Sequence, residues 1–308
     1  MGIRQVWGKN FKEELQMVHS ALYKYNFLSV DTEFPGCLRR TPRLAGDDVR
    51  YADMKYNVDN TRLLQLGLTL SDDGNRGAFM SWEFNFAFDL GKESYNEDSV
   101  RFLKKNGIDF DKLRSDGINW DEFRQEFAAL LPWHRNLTWV TFHGSYDLAY
   151  LLKLVTNNKP LPPALPDFTR DLPAILGGRI IDLKRSAQFF HQLKNGELGL
   201  EELGRLLQVE RPAGGGAHNA GSDSLLTALV FHRMRCRRFP IVHGCLYGLS
   251  APLATPPGRA NLSAATHSTP TPTTTTVMPL PAPAVCHRVY FAPPAAFSLY
   301  PLQQPYVN

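Results

Sequence analysis

"LSVDTEFPG", residues 28–36, carries an apolar strand into two carboxylates, Asp31 and Glu33, one residue apart. Residues i and i+2 of a strand point to the same face, so the two acids project together while Thr32 and Phe34 face the other way. Like charges at such range repel each other, and burial makes each more costly. A hard divalent cation, which takes oxygen ligands, offsets both costs. A solvated strand end with two surface acids is the other reading of the pair alone.

The surrounding sequence makes this strand part of a mixed sheet. "FKEELQMVHSALYKY" (11–25) places Phe11, Leu15, Val18 and Leu22 at helical spacing, just before the strand. "LLQLGLTLSDDGN" (63–75) is a strand closing on an Asp-Gly turn, with "AFMSWEFNF" (78–86) as its hairpin partner. Helical segments follow near 95–105 and 120–131. "LTWVTFHG" (137–144) is a strand and "SYDLAYLLKLV" (145–155) a helix. Five prolines between 160 and 173 predict a loop or a short helical piece. "GRIIDLKRSAQFF" reads as strand then helix, "GLEELGRLLQ" as a helix, "VERPAGGGA" as a mobile loop, and "HNAGSDSLLTALVFHRMRC" as a long helix with its entry turn. A hairpin followed by strands alternating with helices defines an α/β fold: antiparallel strands first, parallel strands next, helices packed on the sheet.

Composition sets the boundaries. The chain has 308 residues, 43% of them hydrophobic, and a formal net charge of +4, a balance that neither demands nor excludes an anionic partner. Residues 251–308 hold 12 of the 22 prolines and only two charged side chains, Arg259 and Arg288. Such a segment cannot bury enough apolar surface to order itself, so residues 1–250 are expected to form the domain and 251–308 a disordered Pro/Thr/Ala-rich tail. Its aromatic end, "VYFAPPAAFSLYPLQQPY", reads as featureless tail or short docking motif. The four cysteines form no C-x-x-C pair, which argues against a zinc ribbon. No apolar run is long enough to span a membrane, and no sorting signal is visible, so an intracellular protein is expected.

Further acids join the first pair. Asp147 stands at the start of the helix that follows the "LTWVTFHG" strand, and ligand sites in open α/β sheets gather at strand ends. A first-turn acid that complements the helix dipole is the plainer reading. His218 precedes Asp223 by five residues. Five residues turn a helix by about 500°, so the two share no helical face. His218 is therefore expected on or before the first turn, reaching back over the site, with Asp223 inside the helix. Gly214, Gly215 and Gly216 give the approach loop freedom.

In order, "DTE", the "YD" after a strand and "H-x-x-x-x-D" resemble the three motifs of the DEDD superfamily of ribonuclease-H-like 3′ exonucleases, in its His-type subclass. "VDTEFPG", "YNVDNTRLLQLGLTL", "WEFNFAF", "FHGSYDLAYLLK" and "HNAGSDSLLT" are similar to the CCR-associated factor (Pop-type) deadenylases of the CCR-NOT complex, in a plant-like arrangement, over residues 3–249. Residues 165–190 follow that pattern only in outline. The resemblance implies a 3′-to-5′ exoribonuclease that shortens poly(A) tails and releases 5′-AMP. It implies two divalent cations, Mg2+ or Mn2+, held by Asp31, Glu33, Asp147 and Asp223, with His218 as general base toward the attacking water. It also implies poly(A) RNA, a scaffold subunit and a CCR-type nuclease as partners, and a place in the cytoplasm, including decay granules, and the nucleus.

Phe34 could lie under the terminal nucleotide, but its strand phase equally suits core packing. Arg233, Arg235, Arg237 and Arg238 read either as an RNA patch or as complements to a helix C-terminus. Two other functions use the same residues or fewer: a general 3′ exonuclease on RNA or DNA, and a non-catalytic adaptor.

Overall fold

The computed structural model describes residues 2–72, 79–130, 134, 136–211 and 216–255. They build a six-stranded mixed sheet with helices on both faces. The strands are β1 (Ile3–Val6), β2 (Phe27–Glu33), β3 (Gln65–Ser71), β4 (Phe79–Asn85), β5 (Thr138–Thr141) and β6 (Arg179–Asp182), in the spatial order β1-β4-β3-β2-β5-β6. β2, β3 and β4 are antiparallel neighbours, and β1, β5 and β6 join in parallel. The expected hairpin and the expected parallel strands are both present. The Asp-Gly turn between β3 and β4 lies outside the described residues, as do the tail beyond residue 255 and Gly214 and Gly215.

Alternation splits the antiparallel strands into two unlike faces. One carries Leu28 and Val30, Leu66, Leu68 and Leu70, and Trp82 and Phe84, all buried in the main core. Helices α1 (Phe11–Leu22), α2 (Asp47–Asn60), α5 (Trp120–Leu130) and α6 (Ser145–Val155) are among the elements that add apolar residues to it. The opposite phase reads Ser29, Asp31, Glu33, then Gln65, Gly67, Thr69, Ser71, then Ser81, Glu83, Asn85. A polar phase in antiparallel strands ordinarily faces water. Here the final helix, α10 (Ala220–Cys236), packs across β2, β3 and β4. Ser29, Gln65, Thr69, Ser81, Glu83 and Asn85 are all buried.

Small residues make that packing close. Gly67 faces the backbone of Ala220, and a Cβ at Gly67 would overlap the Ala220 carbonyl. Ser224 Oγ sits 2.9 Å from Thr69 Oγ1, which is 2.9 Å from Ser81 Oγ. These bonds satisfy hydroxyls that would otherwise be buried alone. A second core beyond β5 holds Val140, Ile181, Leu226 and Val230, together with Leu203 from α9 (Leu200–Leu206).

Several elements differ from the sequence expectation. β1 and α2 form where none was expected, and so does α4 (Phe110–Asp116), which follows α3 (Glu97–Lys105). The proline-rich stretch forms a full helix, α7 (Leu165–Leu176). Pro166 lies in its first turn, where its missing N–H is no loss. Pro173 removes the bond that the Thr169 carbonyl would accept, and the Ala254 N–H replaces it at 3.0 Å. Leu253 is buried beside it, so the ordered chain continues past residue 250.

Asp182, fully buried at the end of β6, caps α8 (Leu183–Ala187) by accepting the Lys184 and Arg185 N–H groups. It also accepts the N–H groups of His143 (3.0 Å), Gly144 (3.3 Å) and Tyr247 (2.9 Å). His143 has a φ of 62°. The carboxylate thereby holds the turn that launches α6, and with it Asp147. Among the described residues, no helix is long and apolar enough to cross a membrane.

Candidate active site

Strand register builds the floor of the site. Asp31 pairs with Gly67, and Gly67 with Glu83, so an acid flanks the glycine on each side. The missing side chain at Gly67 admits the N-terminus of α10 between them. Sheet side chains cap that helix. Gln65 Oε1 accepts the Ala220 N–H at 3.3 Å, and Glu83 Oε2 accepts the Gly221 N–H at 3.0 Å. Gln65 Nε2 donates to the other Glu83 oxygen at 3.1 Å. A carboxylate at a helix N-terminus meets the positive end of the dipole.

Asp223 stands in the first turn of α10 and is buried. Its Oδ2 accepts the His218 N–H at 3.0 Å. His218 lies two residues before the helix, with a φ of 61°, and its imidazole is exposed. The ring meets the Phe102 ring edge-on, with centroids 4.7 Å apart. Glu33, His218 and Asp223 each offer a ligand atom, and these atoms lie within 4.8 Å of one another.

Asp147 approaches from α6, on the far side of β2, and is buried. Thr32 Oγ1 donates to its Oδ1 at 2.5 Å. The strand phase that turns Thr32 away from Asp31 and Glu33 thus turns it toward Asp147. The site spans the end of β2, reached by one helix from each face of the sheet.

The acids crowd one another. Burial raises the Asp31 carboxyl well above its ordinary range, and Asp147, Asp223 and Glu33 raise it further. Burial likewise raises Glu33, helped by Asp223, Asp147 and Glu83. Asp147 is pushed up to about 7, mainly by burial, with the Thr32 hydrogen bond opposing. Asp223 is raised by burial against the pull of Arg211. Such a cluster of oxygen donors carries a surplus of negative charge, which fits a hard divalent cation.

One cation is built into the chain. Arg211 Nη2 lies 2.6 Å from Asp223 Oδ1, and its side chain is only 11% exposed. The sequence reading missed Arg211, because a single arginine in a loop carries no periodic signal. It also missed Glu83 and Phe102; the Glu83 signal is the polar phase that β3 and β4 share with Asp31. Phe34 stacks on Tyr146 with ring centroids 5.2 Å apart at 10°, and tilts against Tyr150. It is half-buried and packed on the main core. The arginines at the end of α10 have local partners: Arg233 and Arg237 bond Gln208, and Arg235 lies over Phe27 and Phe231.

A mixed sheet whose acids converge from β2 and from the first turns of two helices defines a ribonuclease-H-like nuclease architecture. Comparisons with known proteins narrow the class. The pattern of the CAF1 family ribonucleases matches residues 6–131. Probable CCR4-associated factor 1 homolog 5 of Arabidopsis thaliana is 44% identical over 232 residues, spanning 75% of this chain and 81% of the relative. The poly(A) ribonuclease pop2 of Schizosaccharomyces pombe is 36% identical over 242 residues, spanning 77% and 70%. The structure of S. pombe Pop2p with Mg2+ and Mn2+ bound superposes with a TM-score of 0.73 at 35% identity, covering 81% of this chain and all of that one. Yeast CAF1, co-crystallised with the NOT1 MIF4G domain, gives 0.62 at 29% identity, covering 77% of this chain and 89% of that one. The chain belongs to the CAF1 family of ribonucleases.

Proposed function

We propose that this protein is a poly(A)-specific 3′-to-5′ exoribonuclease that shortens mRNA tails and releases 5′-AMP as a subunit of the CCR4-NOT complex. The observation that carries the reading is the convergence of Asp31, Glu33, Asp147 and Asp223 on the end of β2 with His218 beside them. The identity to pop2, a poly(A) ribonuclease, supports the substrate. The structure of yeast CAF1 with a NOT1 domain supports a scaffold partner, and the similarity to a probable CCR4-associated factor supports a CCR-type nuclease beside it.

The four carboxylates are the ligands for two divalent cations, Mg2+ or Mn2+. Cations held by these acids would neutralise them and supply positive charge to offset the charge that develops on the leaving 3′ oxygen. His218 serves as general base and takes the proton of the attacking water. Its backbone bond to Asp223 and its edge contact with Phe102 set the ring at the rim of the cluster. Thr32 fixes the rotamer of Asp147, and Asp182 fixes the turn that carries it. Phe34 offers the terminal nucleotide only its exposed edge, since Tyr146 and Tyr150 take the rest of the ring. Residues 1–250, with the segment through Ala254, are the nuclease domain, and the remainder is a tail. The enzyme works in the cytoplasm, including its mRNA-decay granules, and in the nucleus.

The test is substrate choice. A 5′-labelled RNA of mixed sequence ending in oligo(A) is incubated with the protein and Mg2+ or Mn2+, beside a DNA of the same sequence. The proposal expects a ladder that stalls at the first residues other than A, with DNA little touched. Equal digestion through the body and of DNA indicates a general 3′ exonuclease. No digestion by folded, metal-bound protein indicates an adaptor.

A further inference from the structure

We infer that Arg211 is an internal counter-cation of the carboxylate cluster, and that a divalent cation must displace it from Asp223 in order to bind there. This rests on the proposed reading of the cluster as a metal site.

Every nitrogen of the Arg211 guanidinium is engaged. Nε and Nη2 donate to Glu201 Oε2 at 3.0 and 2.8 Å. Nη1 donates to Ser222 Oγ at 2.6 Å and to the Gly216 carbonyl at 3.3 Å. Nη2 also contacts Asp223 Oδ1 at 2.6 Å. The Glu201 side chain is 65% exposed, so the guanidinium has a solvent-side anchor and a site-side anchor. With His218 N–H on Oδ2, both oxygens of Asp223 have partners. Asp223 is also the member of the cluster whose ligand atom lies within 4.8 Å of those of Glu33 and His218. A cation held by the Glu33 and Asp223 carboxylates would sit against a buried positive charge on Asp223, an arrangement opposed by Coulomb repulsion at short range.

The metal-free cluster needs this arginine for the same reason. Asp31, Glu33, Asp147 and Asp223 gather at one strand end, and the Arg211 guanidinium contacts Asp223 there. One resident positive charge keeps the acids tolerable before metal arrives. When a divalent cation supplies more charge, the arginine retains Glu201 as its partner and yields Asp223. A purely structural Arg211, stapling α9 to α10 and orienting Asp223, makes the opposite forecast: its loss would weaken metal binding.

Metal-free full-length protein is titrated with Mn2+, following free Mn2+ by electron paramagnetic resonance, alongside Arg211→Met and Arg205→Met. Arg205 is an exposed arginine on α9 paired with Glu202, and its loss removes the same formal charge. Arg211→Met is expected to bind Mn2+ roughly 5- to 150-fold tighter than the parent, the range of typical coupling between two sites. Its metal-free melting temperature is expected to fall and its gain on adding Mn2+ to grow, while Arg205→Met changes neither. Should Arg211→Met fail to fold by circular dichroism, Arg211→Lys carries the test. An ammonium cannot form the fork, so Mn2+ should again bind more tightly than to the parent. Unchanged or weaker Mn2+ binding in the folded variant, or equal tightening in Arg205→Met, overturns the inference alone. Absence of Mn2+ binding in every protein overturns the metal-site reading, and the inference with it.

Discussion

The Thr32 hydroxyl donates to Asp147 Oδ1 at 2.5 Å, tying the strand of the acid pair to the helix that bears the third acid. The bond crosses from the core-facing phase of β2 to the first turn of α6, and both residues are buried. Thr32→Val keeps the shape and removes the donor. Loss of one orienting partner typically costs about 10- to 100-fold in metal affinity or activity. Nuclease assays across a Mg2+ series should show a fall of that size with little change in melting temperature. Unchanged activity would mean that Asp147 needs no such support.

Asp31 carries the repulsion of three neighbouring acids. Asp31→Asn removes one charge from the cluster without creating a cavity. In EDTA the variant is expected to melt at or above the temperature of the parent. Its activity should drop by orders of magnitude. A steep loss of metal-free stability would show that the Asp31 carboxylate supports the fold.

Gly67 admits the Ala220 backbone between Asp31 and Glu83. Gly67→Ala places a methyl group against backbone, which cannot rotate aside. Overpacking of this sort costs about 1–3 kcal/mol, and the helix end that carries Asp223 must shift. Urea denaturation and Mn2+ affinity should both report the change. A variant unaltered in both would show that α10 has room to spare.

Lys153, buried on α6, donates to the carbonyls of Val58 (2.7 Å), Asp59 (3.2 Å) and Thr61 (2.9 Å), closing the C-terminus of α2. Burial lowers its pKa from 10.5 to about 8, with Asp59 opposing. Between these values the unfolded chain binds more protons than the folded one, so this group's contribution to stability rises with pH from about 8 to 10.5. The melting-temperature difference between the parent and Lys153→Met should shift in favour of the parent across that window. A constant difference would contradict the lowered pKa.

The period-2 pattern of "LSVDTEF" and the strand-helix alternation after residue 137 made most of the sheet legible and put Asp31 and Glu33 on one face, whereas Asp147 and Asp223 were singled out as ligands only by the resemblance of their motifs. β1, "IRQV", is four residues long with two polar residues at its centre, so neither alternation nor an apolar run marks it. α2 buries Tyr51, Met54 and Val58 at helical spacing, but also Asn57, whose burial breaks the apolar stripe. Asn57 is satisfied by Arg39 backbone and Tyr146, partners far away in sequence. α7 was hidden by its prolines, because the group that relieves Pro173 lies about 80 residues on, at Ala254. Glu83 lies on the polar phase of the hairpin, and only the distant α10 covers it. In each case a long-range contact decides the structure, and local pattern does not report it.

Hydrolysis of the last phosphodiester of an RNA by the carboxylates around the end of β2 and His218, with divalent-cation support, is what we propose. Its most direct measurement is release of 5′-AMP from an oligo(A) RNA labelled in its 3′-terminal nucleotide, by protein stripped of metal and then given Mg2+ or Mn2+, beside Asp223→Asn. The account predicts no release in EDTA, prompt release of 5′-AMP when metal is restored, and none from the folded variant. Release that persists in EDTA or in Asp223→Asn, or a 3′-phosphorylated product, would contradict it.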